Sequence, residues 1–214
     1  MIDNIEVFTQ NSIRIRSDVG TIYVDSFRMK EEPHDADFVL ITHAHYDHFS
    51  INDIRKVIKD ETIIVVPEKL EDDAGELKHD IKDIVTVKPG IHTKINGLEI
   101  ETVPAYNTLK PFHPKRAGWV GYILTIGGKR IYIAGDTGAT KEAGQVKCDI
   151  ALLPIGGTFT MDAKRAADLV NTMAPEYAIP VHYGGLVGKK TDGKTFASLV
   201  KSPVKVVEKI QYFE

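Results

Sequence analysis

The chain has 214 residues, of which 43% are hydrophobic and 27% are charged, proportions typical of a packed globular protein. A formal net charge of -3 and a mean hydropathy of -0.15 offer no overall basic field for nucleic acid or an anionic membrane. No apolar run approaches the roughly 20 residues that span a bilayer, and the single cysteine, Cys148, excludes an internal disulfide. The N-terminal segment is acidic rather than basic, so we expect a cytoplasmic protein. The length favours one domain over residues 1–214. With a single cysteine, histidines and carboxylates would have to bind any metal.

The first half of the chain is rich in short β-branched runs, which favour strands. The run Asp37–Ile41 is nearly all apolar and predicts a strand buried on both faces. One helix is predicted over Ile51–Ile58, with Ser50 or Asn52 as its N-cap. The other predicted strands here are 5–8, 12–16, 21–25 and 62–66, followed by a meander of 83–88, 91–95 and 98–103.

The second half begins with a proline-containing loop over 104–118 and a hairpin of 119–126 and 129–134. The order of elements is rich in strands and repeats loosely in two halves. Two packed sheets with helices outside are therefore expected. The remaining predictions are a buried strand at 149–153, a helix at 163–173, a strand at 176–181, a loop at 184–193, a short helix at 194–201 and a strand at 204–207.

Three of the eight histidines fall within six residues, in the segment His43-Ala44-His45-Tyr46-Asp47-His48. Chance produces this arrangement on the order of once per thousand such chains. His43 and His45 are two residues apart, so in an extended backbone they face the same way, roughly 6.6 Å along the strand, and can bind one ion. Asp47 and His48 lie past the strand end and can point to a second ion. Imidazole and carboxylate ligands suit zinc, with manganese, iron or nickel as alternatives.

Two further polar side chains stand at strand ends. Asp136 follows the predicted strand 129–134, and His182 follows the strand 176–181. In isolation, an acid at such a position is often a turn residue and a histidine is often structural. Beside the histidine cluster both become candidate ligands, because one carboxylate with two oxygens can bridge two cations.

These three segments, in this order, resemble the metallo-β-lactamase superfamily over nearly the whole chain. The segments Val103-Pro104-Ala105, Ala134-Gly135-Asp136-Thr137 and Leu153-Pro154-Ile155-Gly156-Gly157 make the resemblance closest to metal-dependent hydrolases related to L-ascorbate-6-phosphate lactonase and to the phospholipase D that cleaves N-acyl-phosphatidylethanolamine. The resemblance implies an α/β fold, an αββα four-layer sandwich with one or two divalent metals at one edge of the sheets. It assigns the first metal to His43 and His45 and the second to Asp47, His48 and His182. Asp136 would bridge the two metals.

One position departs from the family pattern. Relatives carry a further histidine two residues after the segment Val103-Pro104-Ala105, where this chain has Asn107. An amide oxygen binds zinc more weakly than an imidazole does. Asn107 could coordinate weakly, His113 in the same loop could replace it, or the first site could be loose. We favour two metals with a weakened first site. His113 could instead be a loop residue or a substrate contact.

The expected chemistry is attack by a metal-activated hydroxide, since a bound water has a pKa lowered from 15.7 toward about 7. Asp47 would position this hydroxide and take up its proton, and His182 and Tyr183 would lie near the oxyanion. Asp25 could accept an N–H from a metal-bound histidine or be a turn residue. The loop residues named as possible proton donors to the leaving group are Tyr106, His113 and Lys115.

The sequence thus predicts a metallo-hydrolase of a small ester, lactone or phosphoester, with a small-molecule substrate and neither nucleic acid nor membrane as partner. A homo-oligomer is left open. A catalytically silent metal-binding or sensing domain is the alternative, since Asn107 weakens the ligand set, and a nuclease is disfavoured by the net charge of -3. A basic group of loop side chains could bind a phosphate or carboxylate, or could simply be solvated: Lys110, His113, Lys115 and Arg116.

Overall fold

The computed structural model describes residues 1–108 and 112–213. Within these ranges the strands form two sheets. The six-stranded sheet has the order β1 (Ile5–Val7), β2 (Ile13–Ser17), β3 (Gly20–Val24), β4 (Phe38–Leu40), β5 (Ile63–Pro67) and β6 (Asp83–Val87). The seven-stranded sheet has the order β13 (Lys205–Val206), β12 (Tyr177–Val181), β11 (Ile150–Pro154), β10 (Lys129–Ile133), β9 (Val120–Ile126), β8 (Leu98–Pro104) and β7 (His92–Ile95).

Both sheets are mixed. Strands β3 to β6 run parallel to one another, as do β10 to β13, whereas β9 is antiparallel to β10. The carboxyl ends of parallel strands meet at one edge of a sheet, and ligands bind outside such edges in open α/β sheets. Loops that follow β3, β4, β10 and β12 therefore have the position required for a shared site.

Side chains alternate between two faces along each strand. In β3, Ile22 and Val24 enter a core shared by the two sheets, whereas Tyr23 packs on the outer face of the first sheet. In β11, Leu152 enters the shared core, and its neighbour Leu153 faces the helices of the second sheet. This double burial explains why the central strands are apolar without visible alternation.

Helices cover the outer face of each sheet and complete four layers. Ser50 caps the first helix, since its side chain accepts a hydrogen bond from the Asp53 N–H at 3.4 Å. None of the helices in the described ranges is long and apolar enough to cross a membrane. The helices are α1 (Ile51–Val57) and α2 (Glu71–Ala74) on the first sheet, and α3 (Lys141–Gly144), α4 (Ala163–Met173) and α5 (Asp192–Leu199) on the second.

The predicted αββα sandwich is confirmed, but the predicted meander over 83–103 is wrong. Strand β6 pairs with β5 in the first sheet, whereas β7 and β8 form a hairpin in the second. The chain crosses between the sheets at Pro89-Gly90, where Gly90 has a φ of 84°. Hydrophobic alternation identifies a strand but does not show which sheet it joins. The short helices α2 and α3 were not predicted, and the last helix begins two residues earlier than expected.

Candidate metal centre

The loops that follow three strands bring candidate ligands to one edge of the two sheets. The histidine motif follows β4, Asp136 follows β10 and His182 follows β12. These side chains are separated by up to 139 positions along the chain, yet all of them belong to two adjacent clusters of potential ligands. The parallel strand directions produce this convergence, since each side chain stands just past a carboxyl end.

The first cluster contains His43, His45, His113 and Asp136, each with one ligand atom within 4.8 Å of the others. Nε2 of His43 lies 3.1 Å from Nδ1 of His45. Nε2 of His113 lies 3.3 Å from Oδ2 of Asp136. His113 thus occupies the first cluster, six residues beyond the position where the family pattern has its histidine.

The second cluster contains Asp47, His48 and His182. Nε2 of His182 lies 3.2 Å from Oδ2 of Asp47 and 3.1 Å from Nε2 of His48. All three residues are buried, and His48 has no exposed surface. The predicted second set of ligands is therefore brought together in full.

Asp136 stands between the clusters with one oxygen directed to each. Its Oδ2 is 3.3 Å from His113 and 3.9 Å from His43. Its Oδ1 is 3.4 Å from His48 and 3.3 Å from His182. The carboxylate therefore has the geometry of a group shared by two ions.

The donor atoms fit a metal. Atoms that share one tetrahedral zinc at about 2.0–2.2 Å stand roughly 3.3–3.6 Å apart, close to the separations within both clusters. Among the described residues, Oδ1 of Asp136 and both ring nitrogens of His113 are buried without a hydrogen-bond partner. Buried polar atoms are costly when unpaired. Coordination of a cation would satisfy the inward-facing ones.

A buried carboxylate behind the clusters orients the imidazoles. Asp25 is fully buried and accepts hydrogen bonds from His48 Nδ1 at 2.7 Å and from Thr42 Oγ1 at 2.6 Å. Because the Thr42 hydroxyl donates its proton to Asp25, its oxygen accepts the Nδ1–H of His43 at 3.0 Å. Both histidines thereby direct Nε2 inward, toward the position of a metal. Of the two interpretations of Asp25, the structure supports the one with a histidine partner.

Burial and neighbouring charges shift the pKa values of the candidate ligands in different directions. Burial, followed by the positive charge on His48, lowers the pKa of His43 well below its usual range, so this ring is neutral. Burial alone would lower the pKa of His48, but the charges of Asp136 and Asp25 outweigh it and raise the pKa to about 9. Burial likewise opposes ionisation of Asp136, yet the imidazoles of His182 and His48 hold its pKa well below the usual range. The carboxylate is therefore ionised.

Three residues at the site have positive φ angles without being glycine: Gln10 at 46°, Asp25 at 49° and His182 at 55°. The His182 N–H donates to the carbonyl oxygen of Gln10 at 2.8 Å. Left-handed backbone is unfavourable for such residues and persists where surrounding contacts fix it, often at functional sites. The backbone here holds the polar groups in place.

A cavity of about 350 Å³ opens onto both clusters. Its polar floor comes from His45, Asp47, Asp136 and His182, and its walls are apolar. Phe159, in the loop that follows β11, is one of the apolar residues that line it. This volume lies at the lower end of the range for small-molecule sites, about 300–1,000 Å³.

Other predicted site residues lie elsewhere. Asn107 donates from its backbone N–H to the His113 carbonyl oxygen at 2.8 Å and from its side-chain amide to the Phe159 carbonyl oxygen at 3.2 Å. It thereby fixes the loop that carries His113. Tyr183 points away from the cavity, since its hydroxyl donates to Glu208 at 3.4 Å and its ring contacts Phe213 edge to face. The prediction that Tyr183 lies near an oxyanion is wrong, because its side chain faces the α4–α5 side of the sheet.

The proposed leaving-group donors are also engaged. The Tyr106 hydroxyl donates to Glu142 at 2.8 Å, and Lys115 forms an ion pair with the same carboxylate. Of the predicted basic group, Lys110 lies outside the described residues. The remaining candidate donor, His113, is buried in the first cluster.

Trp119 was missed by sequence reasoning. Its ring lies 4.9 Å from the rings of His43 and His45 and 5.2 Å from that of His113, measured between centroids. It directly precedes β9, which is antiparallel to the strand before Asp136. Because β9 is antiparallel to β10, the start of β9 lies at the same sheet edge as the end of β10. This placement of Trp119 can be foreseen only when the strand order is known.

Comparison with known proteins agrees with this fold. The model of the beta-lactamase superfamily domain matches residues 4–182. A UPF0173 metal-dependent hydrolase of Pyrococcus abyssi is 34% identical over 183 residues, which cover 83% of this chain and 80% of the relative. A solved structure described as a putative metal-dependent hydrolase, from Parabacteroides distasonis, is 31% identical with a TM-score of 0.82 over 97% of this chain and 93% of the other.

A putative Zn-dependent hydrolase of the metallo-beta-lactamase superfamily from Thermotoga maritima has the same fold, with a TM-score of 0.60 and 19% identity over 95% of this chain and 97% of its own. The finer resemblance to the lactonase and phospholipase branches stays a prediction. The chain belongs to the metallo-β-lactamase superfamily and is a metal-dependent hydrolase.

Proposed function

We propose that the chain hydrolyses an ester, lactone or phosphoester bond of a small molecule with two divalent ions, zinc in the first instance. The observation that carries this proposal is the Asp136 carboxylate, whose two oxygens face two clusters that open onto one cavity. His43, His45 and His113 would hold the first ion, and Asp47, His48 and His182 would hold the second, with Asp136 shared. Of the alternatives at the first site, the position of His113 supports replacement of the missing ligand.

When bound, the ions supply a water of lowered pKa and polarise the oxygen of the substrate carbonyl or phosphoryl group. Asp47 lines the cavity floor and is 8% exposed. Burial is the largest effect on Asp47 and opposes its ionisation, but the hydrogen bond from His182 and the nearby His48 and His182 imidazoles together lower its pKa. An ionised carboxylate facing the substrate can orient water and accept a proton. His182 lines the same floor, where it would face the developing oxyanion.

The test begins with metal content and hydrolysis. The zinc-loaded protein is expected to cleave at least one of p-nitrophenyl acetate, p-nitrophenyl octanoate, p-nitrophenyl phosphate, bis-p-nitrophenyl phosphate and simple lactones. Activity should be lost with a chelator and return with zinc. Asp47→Ala should lower kcat by at least about 100-fold, whereas the matched change of an exposed carboxylate on β6, Asp83→Ala, should not.

A loaded protein that cleaves nothing in this panel would support the metal-binding or sensing alternative. Unaltered hydrolysis in Asp47→Ala would contradict the catalytic role of that residue. The mutant's zinc content is measured in parallel, so that a loss of metal is separated from a loss of proton transfer.

A further inference from the structure

The mouth of the cavity above the two clusters is lined by apolar side chains. Five large hydrophobic side chains are exposed in the described part of the chain, and three of them line this one cavity: Tyr46 at 67%, Phe112 at 54% and Leu186 at 37%. Exposed apolar groups are common singly, whereas a group of them around a concave site indicates a binding surface. Their concentration at the metal clusters identifies the substrate as the partner that covers them.

Three separate loops build these walls. Tyr46 belongs to the histidine motif and contacts Phe27 edge to face, with centroids 5.9 Å apart. Phe112 contacts Phe159 edge to face at 5.1 Å, which joins the loops that follow β8 and β11. The third wall comes from Leu186 and its neighbour Val187 in the loop after β12. The apolar surface is therefore continuous above the polar floor.

The described walls are free of basic side chains. Among the described residues that line the cavity there is neither lysine nor arginine, and two are carboxylates, Asp47 and Asp136. Two described lysines of the surrounding loops are engaged outside the cavity. Lys115 pairs with Glu142, and Lys190 lies over the ring of Phe213, 5.5 Å from its centroid.

This composition discriminates between substrate classes. A phosphomonoester has three charged non-bridging oxygens. Two metals can bind two of them, and apolar walls would leave the third without a partner. A carboxylic ester or lactone brings one carbonyl oxygen for the floor and an uncharged acyl part for the walls. We propose that the substrate is an uncharged carboxylic ester or lactone with an apolar, medium-sized acyl part, an inference that rests on the proposed function.

The reaction is then a simple hydrolysis. The oxygen of water bonds to the acyl carbon, and the bond between that carbon and the alkoxy oxygen breaks. One proton of the water goes to the alkoxy oxygen, which leaves as an alcohol. The carboxylic acid product loses its proton to solvent at neutral pH. In a lactone the acid and alcohol stay in one molecule.

Binding of hydroxamates tests the inference independently of turnover. The single tryptophan, Trp119, packs on three imidazoles of the first cluster, so its fluorescence reports ligands at the zinc-loaded centre. Acetohydroxamate, octanohydroxamate and the monohydroxamate of adipic acid share one head group and differ in tail length and charge. A buried methylene contributes up to about fourfold in affinity, so octanohydroxamate should bind at least tenfold more tightly than either other probe.

The walls are tested with two matched variants. Leu186→Ser should reduce the preference for octanohydroxamate over acetohydroxamate at least threefold. Leu199→Ser removes a leucine of similar exposure, 40% against 37%, from the end of α5 and should leave the preference unchanged. The inference is overturned if the three probes bind equally, if the anionic tail is preferred, or if both variants have the same effect.

Kinetic measurements distinguish failure of the proposed substrate class from failure of the proposed hydrolytic function. The zinc-loaded protein should cleave p-nitrophenyl octanoate with a higher kcat/KM than the acetate, and both above p-nitrophenyl phosphate. Faster cleavage of the phosphate would overturn the substrate class while supporting a hydrolase. Octanohydroxamate preference without cleavage of any ester, lactone or phosphoester would support the apolar pocket and contradict the hydrolytic function.

Discussion

The substitution Asp25→Asn isolates the group that orients the second cluster. The Asp25 carboxylate is fully buried and accepts hydrogen bonds from Asn11, Thr42 and His48 at 2.6–2.8 Å. An amide replaces one acceptor by a donor, so at least one buried donor loses its partner in either orientation. The expected cost is about 1–3 kcal/mol in the free energy of unfolding of the metal-free protein.

The same change should weaken zinc binding. His48 would lose the acceptor that directs its Nε2 inward, and loss of such a partner typically lowers metal affinity by about 10–100-fold, which corresponds to about 1.4–2.7 kcal/mol. Asp25 contacts His48 of the second cluster directly but reaches His43 of the first cluster only through Thr42, so at limiting zinc the second ion should be weakened more than the first. Competition with a chromophoric chelator measures both the affinity and the number of ions.

Asp53→Asn is the matched control. Asp53 is also a buried carboxylate, and it accepts the backbone N–H groups of Arg28 and Met29 at 2.9 and 3.0 Å, outside both clusters. It should lose stability in urea and keep its zinc affinity. If Asp25→Asn is destabilised to the same degree as the control and binds zinc as the wild type does, the orienting role is refuted.

Three further predictions follow from the geometry. His113→Ala should remove the first ion, whereas Asn107→Ala should retain it with lower affinity; equal zinc content in the two variants would contradict the placement of His113. Because the pKa of His48 is raised to about 9, this ring is protonated near neutral pH without metal and must release its proton to bind zinc. Calorimetry at pH 7.5 in buffers of different ionisation enthalpy should therefore detect at least one proton released, and no buffer dependence would contradict the pKa. In Gly121→Ala the new Cβ would lie 2.7 and 2.9 Å from two backbone carbonyl oxygens at the end of β10. This crowding should lower the free energy of unfolding, measured in urea, by about 1–3 kcal/mol. The control Gly75→Ala meets nothing within 4 Å and should change it little.

Much of the site was predictable because its residues stand at strand ends. The motif from His43 to His48 follows a strand that is apolar on both faces, and Asp136 and His182 follow two others. Parallel directions then bring these ends to one edge. Local sequence and one topological rule thus suffice to bring six of the candidate ligands together, and that they bind metal stays a prediction.

His113 and Trp119 could not be placed in this way. His113 lies nine residues beyond the end of β8, and its position depends on the path of the loop, which backbone hydrogen bonds such as that from Asn107 to His113 fix. A loop path is determined by contacts distant in sequence rather than by local pattern. The apolar walls of the cavity could not be predicted for the same reason, since Phe112 and Leu186 lie in separate loops.

Sheet membership was the other limit. The alternation in β6 resembles that in β7 and β8, yet these strands belong to different sheets. The decision depends on the turn at Gly90 and on which sheet offers an unpaired edge, and neither is visible in a hydrophobic pattern.

The most direct test is a crystal structure of the zinc-loaded protein with an anomalous map at the zinc edge. Two peaks are predicted, one among His43, His45 and His113 and one among Asp47, His48 and His182, each about 2.0–2.2 Å from one oxygen of Asp136. A map without zinc between these side chains, or one in which Asp136 touches neither peak, would contradict the binuclear centre.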